Sequence, residues 1–291
     1  MMESSGCRTV AAFAQYLETE EKSKSTIAKY VRDVNKFFSY IGAGKSAKEL
    51  VREWVLEYKE YLLKNYKPAS ANSMLVALNS YLKFAGRADC CVRTFRMQKQ
   101  IFREADRELS CEEYRRLVEA AGRSGNERLC HILQTIGATG IRISELPFIT
   151  VEALRRGTVS VQCKGKARVI VLPRSLILLL EKYCRDRGIE KGSIFVTIKG
   201  HPMDRRNVWR EMKRLCAEAG VDAGKVFPHN LRHLFAKCYY EKERDLVRLA
   251  DYLGHSSVET TRRYTMITSM EAYLKQLELG LVVTRTGGAA M

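Results

Sequence analysis

One break in hydrophobic patterning constrains this chain more than any other feature. Residues 8–20, 25–41, 49–65 and 69–85 each carry apolar side chains at helical spacing; a charged stretch follows from Gly86, and helical spacing returns at residue 110. In the second segment Ile27, Tyr30, Val31, Val34, Phe37 and Phe38 recur with a helical rather than an alternating period. Ser25 before Thr26 is a start signal for that helix, and Gly42 and Gly44 are stop signals. Pro68 stands at the entrance to the fourth helix, where its missing N–H costs little. The spacing predicts a four-helix domain over residues 1–88, a basic linker over 89–109, a second domain over 110–268, and a C-terminal helix and tail over 269–291.

The linker carries Arg93, Arg96, Lys99, Arg103 and Arg107 after the adjacent Cys90 and Cys91. Its charge is part of a wider bias: the chain of 291 residues has a formal net charge of +17. Residues 1–100 hold 17 Lys and Arg against 10 Asp and Glu, so the excess is shared by both halves, as one long polyanion spanning both would require. No amphipathic basic helix with a large apolar face points to a membrane surface instead. Nucleic acid is the expected partner, with Lys24, Lys29, Lys67, Lys83, Arg93, Arg96, Lys166 and Arg168 as candidate contacts. The nine cysteines form no CxxC and no zinc-ligand spacing, which reads as reduced thiols of a cytoplasmic protein. Neither a basic-then-apolar leader nor a run of eighteen apolar residues is found, so no membrane role is expected.

Beyond residue 110 the pattern is again helical. Ser110-Cys-Glu-Glu113 matches a capping box that opens the first helix of this part. The exception is an apolar pair of runs, Val159-Ser-Val-Gln162 and Val169-Ile-Val-Leu172, flanking Lys164-Gly165-Lys166, which reads as a β-hairpin. Ile194-Phe-Val-Thr197 is expected to add a third short strand, and helices are expected over 204–220, 228–242, 245–253, 257–264 and 271–278. The fold class is therefore mainly α with a small β-hairpin or sheet: an α+β second domain behind a four-helix first one.

Several residues in this second part have the chemistry to handle a phosphate. His229 and Arg232 are three apart on one helix face, with His233 beside them, and Pro228 places His229 in the first turn, where an anion is favoured. Alone, such a set is more often an ordinary basic face. Arg142 follows Thr139-Gly140 at a helix end, with Glu145 as a candidate structural partner. Two planar guanidiniums, Arg142 and Arg232, suit a phosphate whose charge rises in a pentacoordinate transition state. Lys164 lies in the hairpin turn, and this segment alone does not separate it from Lys166. His255 and Tyr264 bracket the helix 257–264, for which Ser256-Ser-Val-Glu259 supplies a capping box, and Tyr264 is flanked by Arg262 and Arg263. A phenol ionises near pH ~10 and needs a base or cationic neighbours to attack phosphorus near neutrality. No acidic cluster of the kind that holds two metal ions is seen, so no metal and no cofactor is expected.

Jointly, Arg142, Lys164, His229-x-x-Arg232, His255 and Tyr264, in that order, resemble the catalytic set of the tyrosine recombinase (phage integrase) family over about residues 110–265. The four-helix first domain resembles that family's SAM-like core-binding domain, and the short chain resembles its compact Xer-type or simple-integrase members. The resemblance implies that Tyr264 attacks the scissile phosphate to give a 3′-phosphotyrosine and a free 5′-hydroxyl. It further implies that Arg142 and Arg232 hold the non-bridging oxygens, His229 moves the tyrosine proton, His255 bonds the phosphate and Lys164 protonates the leaving oxygen. Neither metal nor ATP enters such a reaction. Implied partners are double-stranded DNA with inverted-repeat core sites, a homotetramer formed on two such sites, and accessory DNA-binding proteins, for integration, excision or resolution. A C-terminal helix donated to a neighbour would fall at residues 270–280. One departure stands out: the hairpin reads Cys163-Lys-Gly-Lys-Ala-Arg168, one residue shorter in the turn than the family's usual Gly-Lys-Gly-x-Lys-x-Arg and with cysteine for its first glycine. A monomeric type IB topoisomerase-like enzyme is the alternative from the same chemistry, and a non-catalytic DNA-binding protein the alternative from another class. The four-helix domain weighs against the first, and the complete six-residue set against the second.

Overall fold

The computed structural model describes residues 9–42, 49–96, 108–163, 166–197, 199–255 and 257–262, with the side chains of 162–167 excepted. It divides into two compact units, one running to Lys99 and the other starting at Gln100.

Four helices make the first unit: α1 (Val10–Thr19), α2 (Lys24–Ile41), α3 (Arg52–Asn65) and α4 (Pro68–Phe84). Thr9 caps α1 through a bond from the Ala12 N–H. The cap of α2 is Ser23, whose hydroxyl accepts from the Thr26 N–H; Ser25, the expected start, falls inside the first turn. Gly42, with φ 103, closes α2 as expected, while Gly44 lies outside the described residues. Helix α3 begins at Arg52 rather than 49, because the fully buried Leu50 draws the preceding residues into the core and Val51 is extended. Pro68 occupies the first turn of α4 as read from the sequence.

Helix α4 packs against the other three. Its Tyr81 takes Phe13 and Phe38 edge-on at centroid distances of 5.4 and 5.5 Å, and Phe37 meets Tyr58 of α3 at 5.1 Å. Asp33 is buried at 5% exposure and holds the Lys29 ammonium at 2.6 Å; Lys29 also donates to the Ser73 carbonyl. Lys29, a candidate DNA contact, is thus engaged in joining α2 to α4. Lys24, Lys67, Lys83, Arg93 and Arg96 are exposed.

After a 3-10 turn at Ala88–Cys90 the chain runs extended through residues 91–96, and two asparagines of α4 hold it there. Asn72 accepts from the Phe95 N–H at 2.7 Å and donates to the Phe95 carbonyl at 3.0 Å. Asn79 does the same with Val92, at 3.1 and 2.7 Å. The first part of the expected linker is therefore fastened to this unit, with Cys90 and Val92 in its core.

The second unit contains α5 (Cys111–Arg123), α6 (Glu127–Thr139), a 3-10 helix at Ile143–Phe148, α7 (Val151–Arg156), β1 (Thr158–Cys163), β2 (Lys166–Val171), α8 (Arg174–Arg187), α9 (Arg205–Ala219), α10 (Pro228–Glu243), α11 (Leu246–Leu253) and α12 (Val258–Arg262). The capping box at Ser110 and Glu113 is formed on both sides. Helix α6 is central: Leu129, Ile132, Leu133 and Ile136 are fully buried, and α5, α8, α9 and α10 pack around it. Strands β1 and β2 pair antiparallel from Thr158↔Val171 to Cys163↔Lys166, with Lys164 and Gly165 between them outside the described residues.

The third strand expected at Ile194-Phe-Val-Thr197 does not form. The run makes a single isolated bridge, Val196↔Pro202, with another, Thr150↔Ser193, just ahead of it. Its apolar content serves a buried loop, with Ile194 and Phe195 in the core, and Pro202 has no N–H with which to extend a ladder. Of the expected helix 257–264, Val258–Arg262 is described, with the Glu259 N–H bonded to the Ser257 hydroxyl; Ser256, Tyr264 and the helix expected at 271–278 lie outside the described residues. No described helix is long and apolar enough to cross a membrane.

The asparagine clamp generates a prediction. Asn72→Ala or Asn79→Ala removes two bonds to an extended segment and should lower stability by about 1–3 kcal/mol, with faster amide exchange at Phe95 or Val92 respectively. Urea unfolding and hydrogen exchange read both; unchanged exchange at these two amides would show that the segment is held by other means.

Candidate active site

Five described helices of the second unit end on glycines in the left-handed conformation, and the site is built on two of those ends. Helix α6 stops at Gly140 (φ 60) and α11 at Gly254 (φ 63). A Cβ at Gly140 would stand 2.5 Å from Phe235 Cδ1, and one at Gly254 would stand 2.5 Å from Arg168 Cδ, so both positions need glycine for space as well as for φ. Each glycine turn exposes carbonyls that a helix end leaves unpaired.

Arginines take those carbonyls. Arg232 of α10 is 2% exposed; its Nη1 donates to the Gly140 carbonyl at 2.6 Å and its Nη2 to the Leu253 carbonyl at 2.7 Å. Arg142, two residues beyond Gly140, directs Nη2 to the Gly254 carbonyl at 3.4 Å and Nη1 to Glu145 Oε1 at 3.0 Å. Glu145, 2% exposed, also accepts the Arg142 backbone N–H on Oε2, and the Arg168 guanidinium closes on the same oxygen. Burial alone would raise the Glu145 carboxyl, but the bonds from Arg142 and Arg168 outweigh it and hold it below the usual carboxylate value.

His255 follows Gly254 directly. Its Nε2 lies 3.0 Å from Arg232 Nη2 and its Nδ1 2.8 Å from Thr261 Oγ1. A guanidinium only donates, so Nε2 accepts, and the ring proton sits on Nδ1 facing the threonine. Burial first, then the charges of Arg232, Arg142 and Arg168 and the proximity of His229, push this imidazole down to about 4. The neutral ring thus reflects burial first and the surrounding positive charge second. His229 and His233 stack edge to face at 4.7 Å at the start of α10, with the His229 ring exposed.

Of the residues read from the sequence, the structure brings Arg142, Glu145, Arg232 and His255 into one bonded network and sets His229 within its field. Lys164 and Tyr264 lie outside the described residues, as does the side chain of Lys166. Arg168 is a correction. Expected on DNA, it is 10% exposed and bonded to Glu145 and to the Tyr252 carbonyl at 2.7 Å. The register explains this: Arg168 pairs with the buried Val161, while Val169 and Val171 on the other face are 58% and 57% exposed. Thr261, which bonds His255 Nδ1, was not singled out by sequence; only its place six residues after His255 hints at the role.

Residues 107–271 match the phage integrase family, and residues 10–89 match the phage integrase N-terminal SAM-like domain. The chain is 31% identical over 265 residues to the tyrosine recombinase XerA of Pyrococcus furiosus, covering 88% of each. It is 28% identical over 271 residues to the tyrosine recombinase XerD of Vibrio cholerae, covering 88% of this chain and 89% of that one. In fold it is similar to XerH site-specific recombinase bound to its difH substrate (TM-score 0.67, 21% identity, 91% of this chain and 84% of that one). It is also similar in fold to a lambda integrase dimer bound to a COC′ core site (TM-score 0.69, 18% identity, 88% of this chain and 93% of that one). The chain belongs to the phage integrase family, as a tyrosine-type site-specific recombinase of the compact Xer type.

The position of His255 sets a pH prediction. Its folded value of about 4 lies below the ordinary 6.5, so on acidification the unfolded chain takes the proton first. Its contribution to stability is whole above pH 6.5 and is lost as pH falls toward 4. NMR titration of the DNA-free protein should find the His255 ring neutral through pH 5–6, and urea midpoints should fall less steeply with pH in His255→Asn than in wild type. A His255 ring titrating near its ordinary value would refute the arrangement.

Proposed function

We propose that Tyr264 is the nucleophile of this recombinase and that the network of Arg142, Arg232 and His255 receives the scissile phosphate. The convergence of two guanidiniums and a neutral imidazole at the two glycine-capped helix ends supports this reading most directly. Only three positions separate Tyr264 from Thr261, whose hydroxyl is bonded to His255. The phenolic oxygen of Tyr264 bonds to phosphorus as the bond to the 5′-oxygen breaks. His229, exposed at the first turn of α10, accepts the phenolic proton, and Lys164 supplies one to the departing oxygen. Arg142 and Arg232 bind the non-bridging oxygens, worth a few kcal/mol where charge develops. A bound phosphate opposes the field that keeps His255 neutral, so the ring gains a proton and donates from Nε2.

Because the phosphotyrosine conserves the bond energy, the reverse attack by a 5′-hydroxyl reseals the strand without ATP. The substrate is duplex DNA carrying inverted-repeat core sites, grasped by both basic units, and a homotetramer joins two sites for integration, excision or resolution. In this reading residues 1–88 form the core-binding domain, 89–109 the linker and 110–268 the catalytic domain. Residues 269–291 carry the helix exchanged between protomers. The protein works in the cytoplasm, alongside accessory DNA-binding proteins.

Tyr264→Phe removes one hydroxyl and no charge, so it should abolish the covalent protein–DNA adduct on a nicked suicide substrate and leave DNA affinity within about twofold. An adduct that survives denaturant in the Phe variant would refute the assignment.

A 5′-phosphorothiolate substrate has a leaving group that needs no proton. Lys164→Ala should cleave ordinary DNA on the order of 10²-fold slower or more and recover on the thiolate, while Lys166→Ala should show a binding loss alike on both. The reverse pattern would transfer the role to Lys166.

A further inference from the structure

We propose that Cys111 and Cys238 are a reversible disulfide site that staples α5 to α10 when the protein meets peroxide. The two sulfurs are 3.6 Å apart on helices separated by 127 positions in sequence, and both residues are exposed. A disulfide needs about 2.05 Å between sulfurs, so the pair, already in contact, has still to close to bonding distance. The surroundings hold the two elements together already: Lys237, next to Cys238, pairs with Glu108 at 3.3 Å, just ahead of Cys111. Among the other described cysteines, Cys90, Cys184 and Cys216 are buried, and Cys91 and Cys130 donate to backbone carbonyls of their own surroundings at 3.7 and 3.6 Å.

The chemistry assigns an order. Although the residue is exposed, partial desolvation of its sulfur, followed by the bond to and charge of Cys111, pushes the Cys238 thiol up to about 11, so Cys238 is the poorer first nucleophile. Cys111 attacks hydrogen peroxide, the O–O bond breaks, and one water leaves as the sulfenic acid forms. Cys238 then attacks that sulfur and expels the second water. The two thiols lose two protons and two electrons, and the peroxide takes both. The bond leaves the recombination chemistry free. Cys238 is nine residues beyond His229 on α10, about two and a half turns, and therefore on the opposite side of the helix.

The test uses full-length protein treated with hydrogen peroxide, alkylated and digested without reductant. The expected products are a tryptic peptide pair linking Cys111 to Cys238, cleaved by dithiothreitol, and a melting temperature raised by several degrees, as closing so long a loop implies. DNA cleavage by the oxidised protein should stay within about twofold of the reduced form. Cys111→Ser and Cys238→Ser should each lose both the linked pair and the gain in melting temperature. Oxidation to sulfinic acid at both positions, linkage of either to another cysteine or another molecule, or a melting gain that persists in Cys111→Ser would overturn the proposal.

Discussion

A carboxylate withdrawn from water costs several kcal/mol unless both of its oxygens are met, and Glu145, at 2% exposure, is met on both. Oε1 takes the Arg142 guanidinium, and Oε2 takes the Arg142 N–H together with Arg168. Removing one partner of a buried pair of this kind costs about 3–5 kcal/mol, whereas the pair itself adds little net stability. What it supplies is geometry. Arg142 is held at its backbone N–H and Nη1 by Glu145 and, at 3.4 Å, at Nη2 by the Gly254 carbonyl, and its side chain still keeps 36% exposure. A guanidinium fixed in this way and still partly exposed is oriented without losing much further rotamer freedom on binding.

The same logic extends through the two glycine ends. Gly140 and Gly254 place carbonyls where Arg232 and Arg142 reach them, and those bonds tie α6, α10 and α11 together at one point. Arg168 enters from β2 and bonds the Tyr252 carbonyl near the end of α11. The β1–β2 pair is therefore connected through Arg168 to the carboxylate that orients Arg142. Packing, helix capping and charge placement are one construction here, and α10 is its centre because it carries both His229 and Arg232.

Much of this was legible in the sequence, and the failures have definite causes. Helical spacing located α2 and α4, and the capping box located α5, because each is a local signal along one chain segment. Arg142, Arg232 and His255 were found by order and spacing, although nothing local shows that they meet. Arg168 was misplaced because alternation cannot say which face of a two-stranded sheet looks inward, and here the arginine lies inside while two valines lie outside. Ile194-Phe195 misled for the opposite reason: a short apolar run reads as a strand whether or not an edge is available to pair with it. Ser23 rather than Ser25 caps α2 because the choice between nearby serines depends on which backbone N–H each can reach.

The resting charge of the site gives these details their functional sense. Two guanidiniums, those of Arg142 and Arg168, meet the one carboxylate, a third, that of Arg232, lies on helix-end carbonyls, and His255 stays neutral, its Nε2 accepting from Arg232 and its Nδ1–H given to Thr261. A fully charged imidazole there would add a fourth cation with no anion to balance it. In the proposed reaction a phosphate brings that balance and changes the preferred state of the ring, so the histidine would adjust the site's charge to its occupant. On that proposal the empty site avoids the cost of a fourth cation and still offers its full complement of donors when charge develops on the phosphate.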